Sequence, residues 1–152
     1  GNFDARERLR GYRDALARFV PDASPLEFRG DFSESTGYEA GKRIAQMAEK
    51  PQAVFAANDM MALGCLYAFN EAGVRVPQDV ALAGFDDIPL ARFVHPTLTT
   101  MRVSIAELGG QAMSRLLDAI DSDGARVAPS AMLTPELIVR ASSVGEGSGA
   151  KT

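Results

Sequence analysis

The sequence predicts an α/β domain in which a parallel sheet carries helices on both faces. Three observations point there. Short apolar runs, Ala53–Ala57 (AVFAA) and Asp79–Phe85 (DVALAGF), read as strands buried on both sides, the habit of parallel sheets. Segments with helical periodicity alternate with them, the order expected of βαβ units. The chain has 152 residues, one domain's worth, and can hide roughly two-thirds of its unfolded surface.

The elements follow in order. Asp4 to Phe19 reads as a helix, with Leu9, Tyr12, Leu16, Phe19 and Val20 on one stripe and Pro21 and Pro25 bracketing the turn after it. Leu26–Arg29 is a short strand candidate closed by Gly30-Asp31. Ser33–Glu49 reads as a helix capped by Ser33 or Ser35. Its stripe of Gly37, Ala40, Gly41, Ile44, Ala45 and Ala48 is mostly small, so another element should pack close to it. After the Ala53–Ala57 strand, Asn58-Asp59 can cap a helix over Met60–Ala72 that Gly73 ends. Asp79–Phe85 runs into Asp86-Asp87, a short Ile88–Phe93 segment follows, and Leu98–Arg102 is the next strand. Ser104 caps a helix over Ile105–Asp121, with Ile105, Leu108, Ala112, Leu116 and Ile120 on one stripe. Met132–Leu133 and Glu136–Arg140 read as a terminal strand pair, and Val144–Thr152 has the composition of a frayed tail.

Composition narrows the function. Apolar residues make up 46% and charged residues 24%, which excludes a disordered chain, a collagen-like fibre and a coiled coil. Sixteen Lys+Arg against twenty Asp+Glu leave a net charge of −4 with no basic block, a poor nucleic-acid surface. One cysteine, Cys65, excludes a disulfide framework, and one histidine, His95, argues against a His-rich metal site, so no metal or cofactor is expected. No signal-peptide core or membrane-spanning run is visible, and the sequence reads as soluble. A sheet of this kind normally starts on a strand; this chain starts on a helix and so reads as lacking an N-terminal portion.

In open α/β sheets, ligands bind beyond the carboxyl ends of the strands. Gly30-Asp31-Phe32, Asn58-Asp59 and Asp86-Asp87 follow three successive strands, bringing carboxylates, a carboxamide and an aromatic ring to one edge. Such groups suit a small polar ligand, with polar atoms fixing hydroxyls and the ring covering an apolar face. Each has a plainer reading: Asn58 and Asp59 as helix caps, Asp86 and Asp87 as solvated turn residues, Phe32 as core. An acid/base enzyme has no positive signal, since no P-loop, nucleophile elbow or dinucleotide fingerprint is present. Ser104 and Cys65 have no base beside them in sequence, and His95 falls in a turn. Met60 to Phe69 (MMALGCLYAF) is uncharged all round, which calls for cover on two sides: either a second subunit or a central, fully buried position.

Together these residues resemble the C-terminal half of the effector core of LacI/GalR-type bacterial transcriptional regulators. The motifs are Ala57-Asn58-Asp59 with Ala62-Leu63-Gly64, then Gly73, Pro77 and Asp79, then Gly84-Phe85-Asp86-Asp87 and Pro96-Thr97-Leu98-Thr99-Thr100. Arg8-Leu9-Arg10-Gly11-Tyr12, Gly30-Asp31-Phe32 and Leu137–Ser142 also fit, so the similarity spans Asn2 to Ser142. The resemblance implies a periplasmic-binding-protein-like (type I) fold, with 1–142 a partial effector-binding domain, mainly the C-terminal subdomain. Residues 98–128 would include the crossing toward the N-terminal subdomain, 143–152 would be a tail, and the helix-turn-helix would be absent. It further implies effector contacts from Arg8, Phe32, Asn58, Asp86 and Ile105. A homodimer through the Met60–Phe69 helix, a cytoplasmic location and a sugar or related metabolite as effector also follow from it, with operator DNA bound only by the missing domain. The alternative is a solute-binding protein of a sugar transporter.

Overall fold

The computed structural model describes residues 2–121 and 133–144. Helix α1 (Phe3–Phe19) is capped by Asn2, whose side chain accepts from the amides of Asp4 and Ala5. Helix α2 (Glu34–Ala45) is capped by Ser33 and ends four residues short of the expected Glu49. Strand β1 (Ala53–Phe55), helix α3 (Asp59–Glu71) and strand β2 (Ala81–Asp86) follow. A 3₁₀ turn over Pro89–Arg92, strand β3 (Thr99–Arg102), helix α4 (Ile105–Asp121) and strand β4 (Glu136–Ile138) complete the order. Gly73 takes φ +70° just past α3, the left-handed stop that glycine supplies without strain.

The four strands lie in the order β1-β2-β3-β4. β1, β2 and β3 are parallel, with Ala53 opposite Ala81 and Ala83 opposite Thr99, whereas β4 runs antiparallel to β3. The sheet is therefore mixed at its C-terminal edge. β4 finds its partner in β3 rather than in residues 132–133; Leu133 is not in a strand, and Met132 lies outside the described residues. Ser142 locks the C-terminal segment in place. Its hydroxyl donates to the Leu82 carbonyl at 2.6 Å and accepts from the Thr99 amide at 2.8 Å, with no exposed surface.

Leu26–Arg29 does not form the expected strand. Extended residues become a strand only by pairing, and no backbone bond of this segment to β1 is present among the described residues. A largely apolar cavity of about 740 Å³ separates it from β1, walled in part by Leu9, Tyr12, Phe28, Ile44, Met61 and Cys65.

The core lies between α3 and the sheet, around Phe69, Leu82, Leu98 and Val80. The buried part of α3 is explained inside the chain: the sheet packs on one side and α2 on another, while Met60 and Tyr67 stay exposed on a third. The two helices touch backbone to backbone. A Cβ on Gly37 would sit 2.1 Å from the Met61 carbonyl oxygen, and one on Gly64 would sit 1.9 Å from that of Glu34. Leu82 and Gly84 point toward α3, and by strand alternation Phe85 points to the other face, where it meets Arg8 of α1. The stripe on α4 is exposed throughout, with Ile105 at 72% and Ile120 at 65%. Among the described residues no helix is long and apolar enough to cross a membrane.

Candidate functional site

Four chain segments converge at the carboxyl end of the sheet: the first half of α1, the loop before α2, the turn after β1 and the turn after β2. Arg8 is their meeting point. Its guanidinium lies over the Phe85 ring, 3.8 Å from the centroid, with Phe32 on another side at 5.6 Å. It donates to the Ala57 carbonyl and lies 3.5 Å from the Asp86 carboxylate. Fixed this way, it presents a rigid fork of donors beside an anionic acceptor.

Asn58 spends both ends of its carboxamide within the chain. The oxygen accepts the Met61 amide at 2.9 Å as the N-cap of α3, and the nitrogen donates to the Phe32 carbonyl at 3.0 Å. The second bond ties the Phe32 loop, where Phe32 sits at φ 71°, to the start of α3. The capping reading is thus correct, and Asn58 still lies within the same cluster as Arg8, Phe32 and Asp86.

The carboxylates divide into two kinds. Asp86 is 41% exposed in its side chain and faces Arg8. Burial pushes its carboxyl above the ordinary range; Arg8 opposes the rise and the Asp59 charge adds to it. Asp87, its neighbour, is only 2% exposed and bonds Arg140 at 2.6 Å and Arg102 at 2.7 Å, with Arg92 at 3.5 Å. Burial alone would raise its carboxyl, but the two arginine hydrogen bonds and charges outweigh that and hold it low. Asp59 is wholly buried, accepting from the Thr100 hydroxyl at 2.6 Å and the Ile88 amide at 2.9 Å. Burial dominates and raises its carboxyl, with those two bonds pulling back. Asp59 and Asp87 therefore serve the framework, and of the strand-end aspartates after β1 and β2 only Asp86 is free to meet a ligand.

Ile105 is exposed at the first position of α4. Arg8 and Phe32 also line the 740 Å³ cavity, but Asn58 and Asp86 do not; that mainly apolar space occupies the gap between residues 26–29 and β1, not the polar cluster. Cys65 is buried, and burial pushes its thiol up to about 12, which leaves it unreactive. His95 is exposed in a bend. Among the described residues no group of His, Cys, Asp or Glu is placed to hold a metal ion. Phe85 was overlooked in the sequence because it reads as one more apolar strand residue. Its place immediately before Asp86 on β2, facing away from α3, is the signal that could have singled it out.

A family model described as a periplasmic binding protein-like domain matches residues 1–143. The HTH-type transcriptional repressor PurR of Haemophilus influenzae is 39% identical over 141 residues, covering 91% of this chain and 42% of that protein. The ribose operon repressor of Escherichia coli is 43% identical over 119 residues, covering 76% of this chain and 36% of that one. Among solved structures, a LacI family transcriptional regulator from Enterococcus faecium with bound ribose superposes with TM-score 0.82 at 28% identity, over 91% of this chain and 51% of that one. The chain thus spans less than half the length of the curated relatives it matches.

Proposed function

We propose that this chain, which belongs to the periplasmic binding protein-like domain family, is the effector-sensing part of a LacI-type transcriptional regulator and takes a small polar metabolite of the sugar class. The observation that carries the reading is the Arg8–Asp86 pair, with the Arg8 guanidinium over the Phe85 ring and near that of Phe32. A guanidinium donor and a carboxylate acceptor 3.5 Å apart match a neutral ligand offering both an acceptor and a donor, as adjacent hydroxyls do. Phe32 suits the apolar face of a sugar ring, and Asn58 holds the Phe32 loop at the right height. Ile105 would approach from α4 when the cleft is complete. Residues 1–142 would form mainly the C-terminal subdomain, with 98–128 crossing to its companion. In the whole protein, effector binding would close that cleft and shift the affinity of a separate DNA-binding domain for its operator. The relatives are repressors, which favours this cytoplasmic, non-enzymatic role over a transporter's binding protein or an acid/base enzyme.

Calorimetry with ribose, sucrose and inorganic phosphate tests the site. A sugar binds and phosphate does not, because Asp86 repels an anion from Arg8. Arg8→Ala and Asp86→Asn each weaken sugar binding by roughly tenfold or more, the worth of one charge-assisted hydrogen bond. Phosphate binding that Asp86→Asn leaves unchanged would sink the reading.

A homodimer through the outer side of α3 is part of the same proposal. Met60 at 37% and Tyr67 at 60% remain exposed there, and the Tyr67 ring lies 5.7 Å from that of Tyr38. Sedimentation equilibrium of the chain should show a dimer that Tyr67→Asp converts to monomer, since a buried, unpaired charge is costly at an interface. A wild-type monomer at high concentration overturns this part.

A further inference from the structure

We infer that Asp87 is a positioning residue: its clamp by Arg102 and Arg140 holds the neighbouring Asp86 carboxylate turned toward Arg8 and so sets effector affinity, an inference that rests on the effector reading above. Asp86 cannot hold itself. Its ion pair with Arg8, at 3.5 Å on a side chain 41% exposed, is a weak tether. Its backbone sits at φ 116° and that of Asp87 at φ 52°, a region that side-chain-bearing residues occupy only when their surroundings hold them there.

The surroundings do so at the next residues. Asp87 is only 2% exposed, and its two carboxylate oxygens take Arg140 at 2.6 Å and Arg102 at 2.7 Å. The Asp87 amide donates to the Thr100 hydroxyl at 3.3 Å, and the Ile88 amide donates to Asp59 at 2.9 Å. The rigid part of the turn is therefore Asp87, and the direction of Asp86 follows from it. The clamp reaches further. Arg102 is the last residue of β3, three before α4 begins, and it also meets Glu136 of β4 at 3.4 Å. Arg140 lies just past β4 and donates to the Leu98 carbonyl at 2.7 Å. The strand leading into α4 and the strand returning beside it thus both grip the turn that aims Asp86, so a shift of either changes the effector site without touching the ligand.

Carbon-13 NMR titration of the Asp86 carboxylate tests this without a ligand, in wild type, Arg140→Gln, Arg140→Lys and Asp87→Asn, with Arg75→Gln at the remote Arg75–Asp79 pair as control. Loss of the clamp lets Asp86 turn to solvent, so its midpoint falls toward the ordinary carboxylate value in both Arg140→Gln and Asp87→Asn. Charge alone predicts opposite signs: removing a cation raises the midpoint, and removing an anion lowers it. Arg140→Lys keeps the charge but not the fork, and its midpoint falls between Arg140→Gln and wild type. An unmoved or raised midpoint in Arg140→Gln overturns the inference, and that variant decides the matter even should Asp87→Asn fail to fold. Calorimetry with ribose should show binding weakened roughly three- to thirtyfold in Arg140→Gln. A wild-type chain that binds no sugar counts against the effector reading alone, because the titration still reports on the clamp.

Discussion

Gly64→Ala should lower the melting temperature by roughly 6–12 °C, corresponding to about 3 kcal/mol or more of lost stability in a chain this size. The argument starts from the helix itself. In isolation, replacing glycine with alanine inside a helix stabilises it by about 1 kcal/mol. Against that stands the packing of α3 on α2. A Cβ at residue 64 would lie 1.9 Å from the Glu34 carbonyl oxygen and 2.8 Å from the Tyr38 nitrogen, both backbone atoms that no rotamer change can move. Ordinary contact begins at 3.4 Å, so the helices must part by about 1.5 Å. That separation strips close contact from the pair along its length, including Gly41 against Cys65 and Ala68. Gly37→Ala should behave alike, because its Cβ would meet the Met61 carbonyl oxygen at 2.1 Å. Gly11→Ala is the control. Nothing lies within 4 Å of that position in α1, so only the helix preference acts and stability rises by up to about 1 kcal/mol. Thermal melts by circular dichroism decide between the two terms. A Gly64→Ala protein that melts with wild type would show that the helices can separate at no cost.

That same helix pair shows which parts of the molecule were legible in advance. The small-residue stripe of α2 announced a close partner, and Asn58 and Gly73 marked both ends of α3, because caps and helix faces are written in residues a few positions apart. What the stripe could not name was the partner. The apolar run of α3 calls for cover on two sides; α2 supplies one of its neighbours, and Met60 and Tyr67 stay exposed beside it. Leu26–Arg29 has strand-like residues, but a strand exists only through its neighbour, and pairing cannot be read from one segment. The site was legible in a similar way. Strand ends pointed to Phe32, Asn58 and Asp86, whereas Arg8 sits on a helix and came only with the family resemblance. Two adjacent aspartates look alike in sequence. Asp87 turns inward because of Arg102, 15 residues on, and Arg140, 53 residues on, and so its role is set by partners no local pattern reveals.

Asp59 and Asp87 give opposite signs to the pH dependence of stability, and removing either should expose the other. In the folded protein burial raises the Asp59 carboxyl above its unfolded value. The folded state then binds a proton more tightly than the unfolded state, so this group's contribution grows as pH falls from neutral through the raised value and levels off below about 4. Asp87 is held below its unfolded value, so its contribution is complete above about 4 and is lost as pH falls through the lowered one. Urea denaturation from pH 7 to pH 2 should therefore show a shallower acid limb in Asp87→Asn. Asp59→Asn should lose the gain between neutral pH and about 4. It should also lose about 1–3 kcal/mol at pH 7, despite removing a buried charge. The carboxylate satisfies two donors at once, the Thr100 hydroxyl at 2.6 Å and the Ile88 amide at 2.9 Å. An asparagine can accept the Ile88 amide through its oxygen and donate an N–H to the Thr100 hydroxyl, but that hydroxyl then loses the acceptor of its own proton in a site with no exposed surface. There is no room to rotate away, because even a Cβ on Gly84 would come within 2.2 Å of the Asp59 oxygen. Should Asp59→Asn instead be more stable than wild type at pH 7, desolvation of the carboxylate would outweigh its two bonds, and Asp59 would be a strained group and not a pin of the fold.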